Sequence, residues 1–311
     1  MSMSATPSMS SAAHPASGSD HAQMTIFKKL YPEEYLRRHL DEGIREDGRA
    51  LDVPRDVSVA AGIISHAQGS ALVRLGQGTM VTAAVQVQTA KPHYERPHEG
   101  FLVPSIDLSP LCSPQYKVGP PGDEAQVMAH YLQMFLNMSG ILPRTSLCIA
   151  PGELCWSVHV DMVCLSDDGG VLDAAALAAV AALHDCRLPS VVSGTEDGRP
   201  IFDATTTQKL ALVGMPILSS FGLYDSTYLL ADTTAFEQAL SAGCLHIGLG
   251  AEDKDAFWIK ALGRSAVTQP RPWQGKDLVE ACVQLAQKRV PQMQKLIRDA
   301  LLHRDTQAVQ A

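Results

Sequence analysis

The chain has 311 residues, of which 46% are hydrophobic and 19% are charged. It is therefore long enough and apolar enough to bury a full core, either as one large domain or as two small ones. Its formal net charge of −8 excludes a protein that wraps nucleic acid by bulk positive charge, so any contact with RNA must be local.

Seven cysteines are dispersed among apolar neighbours, and no two of them form a Cys-x-x-Cys pair. This pattern predicts reduced, packed thiols in a cytosolic or nuclear protein, with no disulfide, no zinc site and no cofactor. No stretch reaches the roughly 18 apolar residues that a membrane span needs, so we expect a soluble protein without membrane contact. Residues 1–25 are rich in Ser, Ala, Pro and Met, and this composition predicts a disordered tail rather than a signal or transit peptide.

Order is predicted to begin near Ile26. Pro32–Glu34 is typical of a first helical turn, and Gly43 is expected to end that helix. From Val57 to Val87 apolar residues recur at every second position in three runs, which predicts three strands joined by short turns. Gly76–Gly78 is predicted to be a hairpin turn and not a nucleotide loop, because no lysine follows it and a strand comes next.

Residues 90–121 are predicted to form a long loop, and long ordered loops are often functional. Its basic residues include Lys91 and Arg96. The alternative is that both side chains simply face solvent. Pro120–Glu124 then opens a helix that ends at Gly140 and whose apolar stripe is expected to face the core. The stripe consists of Val127, Tyr131, Met134, Phe135 and Met138.

Residues 153–186 predict a strand, a tight turn and a helix without a gap. Alternate apolar residues from Leu154 to Cys164 indicate a buried strand, and Ser166–Gly170 indicates the turn. The alanine-rich segment 173–183 predicts a helix that lies close to its neighbours. Asp173 is interpreted as a residue that caps this helix or favours its positive end.

The second part of the chain repeats this outline. Residues 188–208 predict an exposed connection with a small hairpin, followed by strands, a short helix, a second hairpin and a long terminal helix bent at Pro291. Strands followed by helices, twice over, predict an α+β protein with a first half at 26–190 and a second half at 191–311.

Four stretches taken together resemble the RNase PH-like proteins, and the resemblance covers about residues 31–303. The stretches are Glu46–Arg49, Gly69–Val81, the helix start Pro120–Gln126, and the Asp168-Gly-Gly turn with its alanine helix. Each motif alone is weak, but their order and spacing together are specific. Within the family, residues 107–114 and 119–127 look most like one of the eukaryotic exosome ring subunits.

The resemblance implies a fold of two ribosomal-protein-S5-like βα halves with helices packed on mixed sheets. It also implies a ring of related subunits around an RNA channel, with S1/KH cap subunits as further partners. Such a ring needs two different interfaces on each subunit. The compartments that the resemblance implies are the nucleus, the nucleolus and the cytoplasm.

Active relatives shorten RNA from its 3′ end with inorganic phosphate, and this chain lacks the residues expected for that reaction. An arginine is expected where Leu172 stands, and a second one at a helix start that carries Asp123 and Glu124. Two aspartates are expected at the positions of Gln238 and Cys244. Acid side chains would repel the phosphate, and neither an amide nor a thiol replaces a carboxylate. We therefore predict an inactive subunit with no catalytic residue and no metal site.

Two other readings remain open at this point. In the first, the chain is a phosphorolytic exoribonuclease subunit that lends Lys91 and Arg96 to a composite active site as RNA-binding residues, because RNA affinity comes largely from contacts to phosphates. In the second, it is a small-molecule transferase, but the sequence shows neither a nucleotide loop nor a nucleophile with a base nearby.

Overall fold

The computed structural model describes residues 18–192, 201–225, 228–250, 255–263 and 278–310. The chain divides into two compact units, residues 1–50 and residues 51–311. The halves expected from the sequence, 26–190 and 191–311, are a different division and stay a prediction. Their boundary falls inside a described strand, Arg187–Val192.

The first unit contains two helices, α1 (Gly18–Leu30) and α2 (Pro32–Asp41). Pro32 lies at the start of α2 and two glutamates occupy its first turn, as the sequence predicts. Helix α1 begins at Gly18 and not near Ile26, so helical structure starts within the segment predicted to be a disordered tail. Residues 1–17 of that tail lie outside the described residues.

Six strands form the first sheet of the second unit. They are β1 (Val57–Ala61), β2 (Gly69–Leu75), β3 (Thr79–Ala90), β4 (Phe101–Leu108), β5 (Cys148–Ala150) and β6 (Leu154–Ser166). The order is β1-β2-β3-β6-β4, with β5 paired to β6, and only the β4/β6 pair is parallel. The predicted meander, its hairpin turn and the predicted strand of residues 154–164 are confirmed.

Strand β4 lies in the segment that was predicted to be a loop. Its side chains alternate, with Leu102, Ile106 and Leu108 buried and Val103 exposed, so the period-two signal was present. Pro104 obscured that signal, because proline has no N–H for the ladder and argues against a strand. An edge strand has a neighbour on one side only, so a residue whose backbone nitrogen faces outward loses no ladder bond.

A second sheet follows a two-stranded ribbon of β7 (Arg187–Val192) and β8 (Ile201–Lys209). Its antiparallel strands are β9 (Ile217–Tyr224), β10 (Tyr228–Ala231), β11 (Gly243–Leu249) and β12 (Ala256–Gly263), in the order β10-β9-β11-β12. The other elements are α3 (Asp123–Met138), a 3-10 turn (Arg144–Leu147), α4 (Val171–Asp185), α5 (Ala235–Leu240) and α6 (Leu278–Gln310). The predicted α+β composition is confirmed, and Pro291 lies inside α6. No helix in the described ranges is long and apolar enough to cross a membrane.

Helix α4 lies at the centre of the second unit. It contacts β2 and β3 of the first sheet and also β9 and α6. Its alanines are buried along its whole length, which fits the prediction of a helix that approaches its neighbours closely.

Only part of the predicted stripe of α3 faces the core, where Tyr131 is partly buried and packs against it. Phe135 is buried, but Val127, Met134 and Met138 of the expected stripe are exposed. Leu132, Leu136 and Ala125 face the core instead. The helix is apolar on more than one side, so periodicity alone did not identify the buried face.

A buried ion pair between Arg55 and Asp232 links residues that are distant in the sequence. Arg55 donates from Nε to Oδ2 of Asp232 at 3.0 Å and from one terminal nitrogen to Oδ1 at 2.7 Å. The same guanidinium donates to the carbonyl oxygens of Asp168 and Gly169, both at 2.9 Å. One side chain therefore connects the turn before α4 with the segment before α5.

Burial by itself would raise the pKa of Asp232, but Arg55 outweighs burial and holds that pKa below its usual value. The carboxylate therefore stabilises the folded state above its ordinary pKa, and this contribution is lost as the pH falls through the lowered value.

Replacing Arg55 with methionine should lower the free energy of unfolding by about 3–5 kcal/mol at pH 7.5, because Asp232 becomes a buried charge without its cation. Urea unfolding followed by circular dichroism measures the loss. The loss should shrink in acid, where the carboxyl group of Asp232 is neutral.

The matched control is Arg74→Met, since Arg74 is an exposed arginine on β2. We expect this variant to stay within about 0.5 kcal/mol of the wild type. Equal losses in the two variants would show that the Arg55–Asp232 pair does not stabilise the fold.

Candidate functional site

The turn between β6 and α4 brings the start of α4 to the surface of a cleft. Gly169 and Gly170 have φ values of 80° and 68°, which side chains other than glycine rarely adopt. A Cβ atom on Gly169 would lie 2.6 Å from the backbone of residues 233–235. Asp167 closes the turn by accepting the Gly169 N–H at 2.9 Å. The turn predicted at Ser166–Gly170 therefore agrees with the structure, and the Asp167 side chain closes it.

Leu172, Gln238 and Cys244 line one cleft of about 410 Å³. They come from α4, α5 and β11, so three positions far apart in the sequence meet in space. Glu124, from the helix start at which the resemblance expected an arginine, lines the same cleft. The residues selected as degenerate active-site positions therefore belong to a single site.

The charges around this cleft do not favour an anion. Asp167 and Glu124 are acidic, and none of the described residues that line the cleft is a lysine or an arginine. Tyr116 donates its hydroxyl to Asp167 at 2.9 Å, and burial together with this carboxylate raises the pKa of Tyr116, so the phenol stays neutral. The described lining of the cleft therefore disfavours an anion such as orthophosphate.

A chain of polar groups crosses the floor of the cleft. Asp173 accepts hydrogen bonds from the backbone N–H of Ser220 at 2.8 Å and from the Ser220 hydroxyl. The Ser220 hydroxyl oxygen lies 2.6 Å from Nδ1 of His246, and Nε2 of His246 lies 3.6 Å from Sγ of Cys244. Arg289 of α6 reaches the same Asp173 carboxylate at 3.5 Å.

These bonds correct one of the two interpretations of Asp173: it does not cap α4, but it lies in the first turn of that helix, where an acid favours the positive end. The residue before α4 is Gly170, no side chain caps the helix, and Asp173 bonds across to β9. Burial raises the pKa of Asp173 to about 6, although Arg289 and Ser220 favour its charged form. Burial also lowers the pKa of His246 to about 4, so its imidazole is neutral at physiological pH.

The sequence carried little warning of these contacts. His246 and Cys244 are two residues apart on β11 and so share a face, which period-two counting could have shown. Ser220 and Arg289 join them only through tertiary packing, which has no regular spacing in the sequence.

The candidate RNA-binding residues lie elsewhere. Lys91 and Arg96 are exposed and do not line the cleft. Arg96 lies 3.4 Å from Glu99, and Arg144 lies 4.0 Å from the same carboxylate oxygen. Arg96 and Arg144 border a separate cavity of about 280 Å³, and Lys91 precedes it in the chain. The cavity thus carries two arginines beside two carboxylates, those of Glu95 and Glu99.

Asp161 and Asp168 make structural contacts. Asp161 accepts the hydroxyl of Ser105 at 2.7 Å, and the backbone of Asp168 accepts hydrogen bonds from Arg55 and from the Ala235 N–H. No cluster of three or more potential metal ligands occurs among the described residues.

The fold and the cleft define a class of protein. A family model described as "3′ exoribonuclease family, domain 1" (RNase PH) matches residues 54–189. The exosome complex component rrp43 of Schizosaccharomyces pombe is 35% identical over 265 residues, which is 85% of this chain and 94% of that protein. This chain belongs to the RNase PH family, and the predicted RNase PH-like fold is confirmed.

Two further similar proteins also come from exosomes. The exosome complex component Rrp42 of Methanosarcina acetivorans is 31% identical over 246 residues, 79% of this chain and 88% of the relative. A chain from the Archaeoglobus fulgidus exosome with RNA bound to the active site superposes with a TM-score of 0.72 and 26% identity, covering 88% of this chain and 98% of that one. The chain is thus similar to ring components of exosomes over most of its length.

Replacing Asp173 with asparagine should flatten the dependence of stability on pH between about 4 and 6. An aspartate in an unfolded chain titrates near pH 3.9, so the folded state binds this proton more tightly. The free energy of unfolding of the wild type therefore falls by about 3 kcal/mol as the pH rises through this window. Urea unfolding at pH 4, 5, 6 and 7 measures the slope.

Asp107→Asn removes an exposed carboxylate of β4 and serves as the control, with the wild-type slope expected. Parallel pH profiles for the wild type and Asp173→Asn would contradict the assignment.

Proposed function

We propose that this chain is a non-catalytic subunit of an RNA exosome core ring, which supports 3′–5′ RNA processing as scaffold and as part of the channel wall. The observation that carries the proposal is the cleft. It places Leu172, Gln238 and Cys244 together where the resemblance expects a phosphate-binding arginine and two aspartates.

The chemistry of phosphorolysis gives this observation its weight. Positive groups must hold the attacking phosphate, and carboxylates must bind a divalent metal or assist proton transfer at the leaving oxygen. Leu172 contributes no charge, Gln238 and Cys244 are not carboxylates, and Glu124 repels the anion. His246 is neutral because burial lowers its pKa, so it does not replace the missing cation.

Exposed apolar side chains support membership in an assembly. Val127, Met134 and Met138 lie on the solvent side of α3, and Val163 and Leu165 lie on the outer face of β6. Apolar groups gathered on a surface mark sites of association. Two separate faces are what a ring subunit with different neighbours on each side requires.

The remaining expectations belong to the same proposal. S1/KH cap subunits are further expected partners, and the nucleus, nucleolus and cytoplasm are the expected compartments. Co-purification of a tagged chain tests the partners, and imaging of the tagged chain tests the location.

The purified chain, supplied with RNA, orthophosphate and magnesium, should release no nucleoside diphosphate, because it has neither the phosphate clamp nor the carboxylates. Thin-layer chromatography of end-labelled RNA products measures the release. The same assay on the complex that co-purifies with related chains provides the comparison.

The variants for this assay are Gln238→Ala and Leu172→Ala, with Val213→Ala as an exposed control outside the cleft. We expect unchanged activity of the complex in all three. Phosphate-dependent release that disappears on changing Leu172 or Gln238, but not Val213, would overturn the proposal.

The second candidate is a subunit that contributes RNA-binding residues to a composite phosphorolytic site. The loop between β3 and β4 favours it, since Lys91 and Arg96 are exposed there and Arg144 lies near the same carboxylate as Arg96. An exposed ion pair such as Arg96–Glu99 contributes little to stability, so an RNA phosphate can take the place of Glu99.

Replacing Lys91 and Arg96 together with alanine should weaken RNA binding by the assembled ring, and more at 50 mM than at 200 mM salt, because fewer counterions are released. Fluorescence anisotropy with a labelled single-stranded RNA measures the affinity. Lys295→Ala with Arg298→Ala removes the same charge from the exposed surface of α6 as a control. If the Lys91→Ala, Arg96→Ala variant and the wild type bind RNA with equal affinity at each of the two salt concentrations, these residues do not bind RNA.

A further inference from the structure

Cys244 and His246 form a thiol–imidazole pair that opens into the cleft. Both residues line the cleft, and Sγ of Cys244 lies 3.6 Å from Nε2 of His246. The imidazole is only 9% exposed and lies nearly parallel to the ring of Trp258, with an interplanar angle of 20°. The sequence showed no nucleophile with a base nearby, and this contact corrects that reading.

The hydrogen bonds around Ser220 determine which nitrogen of His246 carries the proton. An ionised carboxylate only accepts, so the single hydroxyl proton of Ser220 goes to Asp173. The oxygen of Ser220 then accepts from Nδ1 of His246, at 2.6 Å. Nε2 therefore keeps its lone pair, and this lone pair faces the thiol of Cys244. Asp173 and Ser220 act as positioning residues for the base.

Cys244 differs from the other six cysteines, all of which lie in the described part of the chain. Five cysteines are buried, and only Cys148 shares the intermediate exposure of Cys244. The sulphur of Cys148 lies 4.0 Å from the carbonyl oxygen of Pro97, which is not a base. Cys148 is therefore an internal reference for an accessible thiol without an imidazole.

We propose that Cys244 is a nucleophilic thiol with His246 as its general base, and that the cleft is a covalent modification site for small uncharged α,β-unsaturated carbonyl compounds. The thiol sulphur attacks the β-carbon, a carbon–sulphur bond forms, and the π electrons of the double bond move toward the carbonyl group. Attack makes the S–H far more acidic than the free thiol, so its proton passes to Nε2 of His246 as the carbon–sulphur bond forms, although burial lowers the pKa of that imidazole. The proton then passes to the α-carbon. No oxidant, metal or leaving group is needed.

The need for a base follows from the surroundings of Cys244. Burial, together with the charge of Asp173, raises the pKa of this thiol, so few molecules hold a thiolate at neutral pH. A nucleophile of this kind depends on a base within hydrogen-bond reach that a third group orients. Glu124 and Asp167 in the same cleft disfavour an anionic electrophile.

N-ethylmaleimide tests the site on the full chain. Limiting reagent at pH 7 is quenched at intervals, and peptide mass spectrometry measures the labelled fractions of Cys244 and Cys148. We expect Cys244 to react on the order of 10-fold faster than Cys148, below the 10²–10⁴-fold range typical of general base assistance because Cys244 is half-buried. A rate at Cys244 equal to or below that at Cys148 overturns the proposal.

A negatively charged reagent of similar size tests the effect of the cleft's carboxylates on the rate separately from the effect of the base. The carboxylate-bearing analogue 3-maleimidopropionate should lower the Cys244-to-Cys148 rate ratio several-fold relative to N-ethylmaleimide. An unchanged ratio shows that the carboxylates of the cleft do not discriminate against an anionic reagent. It overturns the proposed preference for uncharged compounds.

The variant His246→Gln tests the base. The rate at Cys244 should fall about 10-fold to the level of Cys148, which should itself be unaffected. An unchanged rate at Cys244 in a folded variant, as judged by circular dichroism, overturns the role of His246.

Because His246 is buried, the pair Ser220→Ala and Ser220→Thr gives an independent test. Alanine removes the acceptor that holds Nδ1–H and should slow Cys244, whereas threonine restores the hydroxyl and should restore the rate. Equal rates in the alanine and threonine variants overturn the proposed orientation of the imidazole. The result does not depend on ring assembly, since every measurement uses the chain alone.

Discussion

The ion pair between Arg55 and Asp232 is the interaction on which the geometry of the cleft depends. Arg55 also binds the carbonyl oxygens of Asp168 and Gly169, so it sets the position of the turn before α4 and of the segment before α5 at once. A Cβ atom on Gly170 would lie 2.7 Å from the guanidinium, so the close approach needs glycine at that position. Leu172 and Gln238 line the same cleft because these two segments are joined here.

The cleft is framed by the first turn of a central helix and by the second sheet. The helix is rich in alanine and buried along almost its whole length, which lets these elements lie close together. The side chains that line the cleft include leucine, amide and thiol groups. The polar groups from Asp173 through Ser220 to His246 satisfy one another within the protein. The backbone therefore sets the shape of the cleft, and the side chains set its charge.

Much of the fold could be predicted because local patterns and tertiary packing agree. The alternation in β6, the glycines after it and the alanines of α4 each predict the element that forms. Prediction failed where one signal hid another: Pro104 masked the alternation of β4, and the several apolar sides of α3 concealed which side is buried. The candidate site could be predicted from the sequence only in part. Leu172, Gln238 and Cys244 could be selected by resemblance, but the bond from Ser220 to Asp173 joins residues 47 positions apart and leaves no regular spacing to detect.

The contact between Asp173 and Arg289 has a consequence for how the chain acquires its structure during synthesis. The two residues are 116 positions apart, and Arg289 belongs to α6, which follows the second sheet in the chain. Until α6 emerges, the carboxylate at the centre of the protein has no cation, and burying it costs several kcal/mol. The second sheet therefore packs over α4 at a lower cost once α6 has been synthesised. Any product that ends before α6 lacks the cation that faces the Asp173 carboxylate.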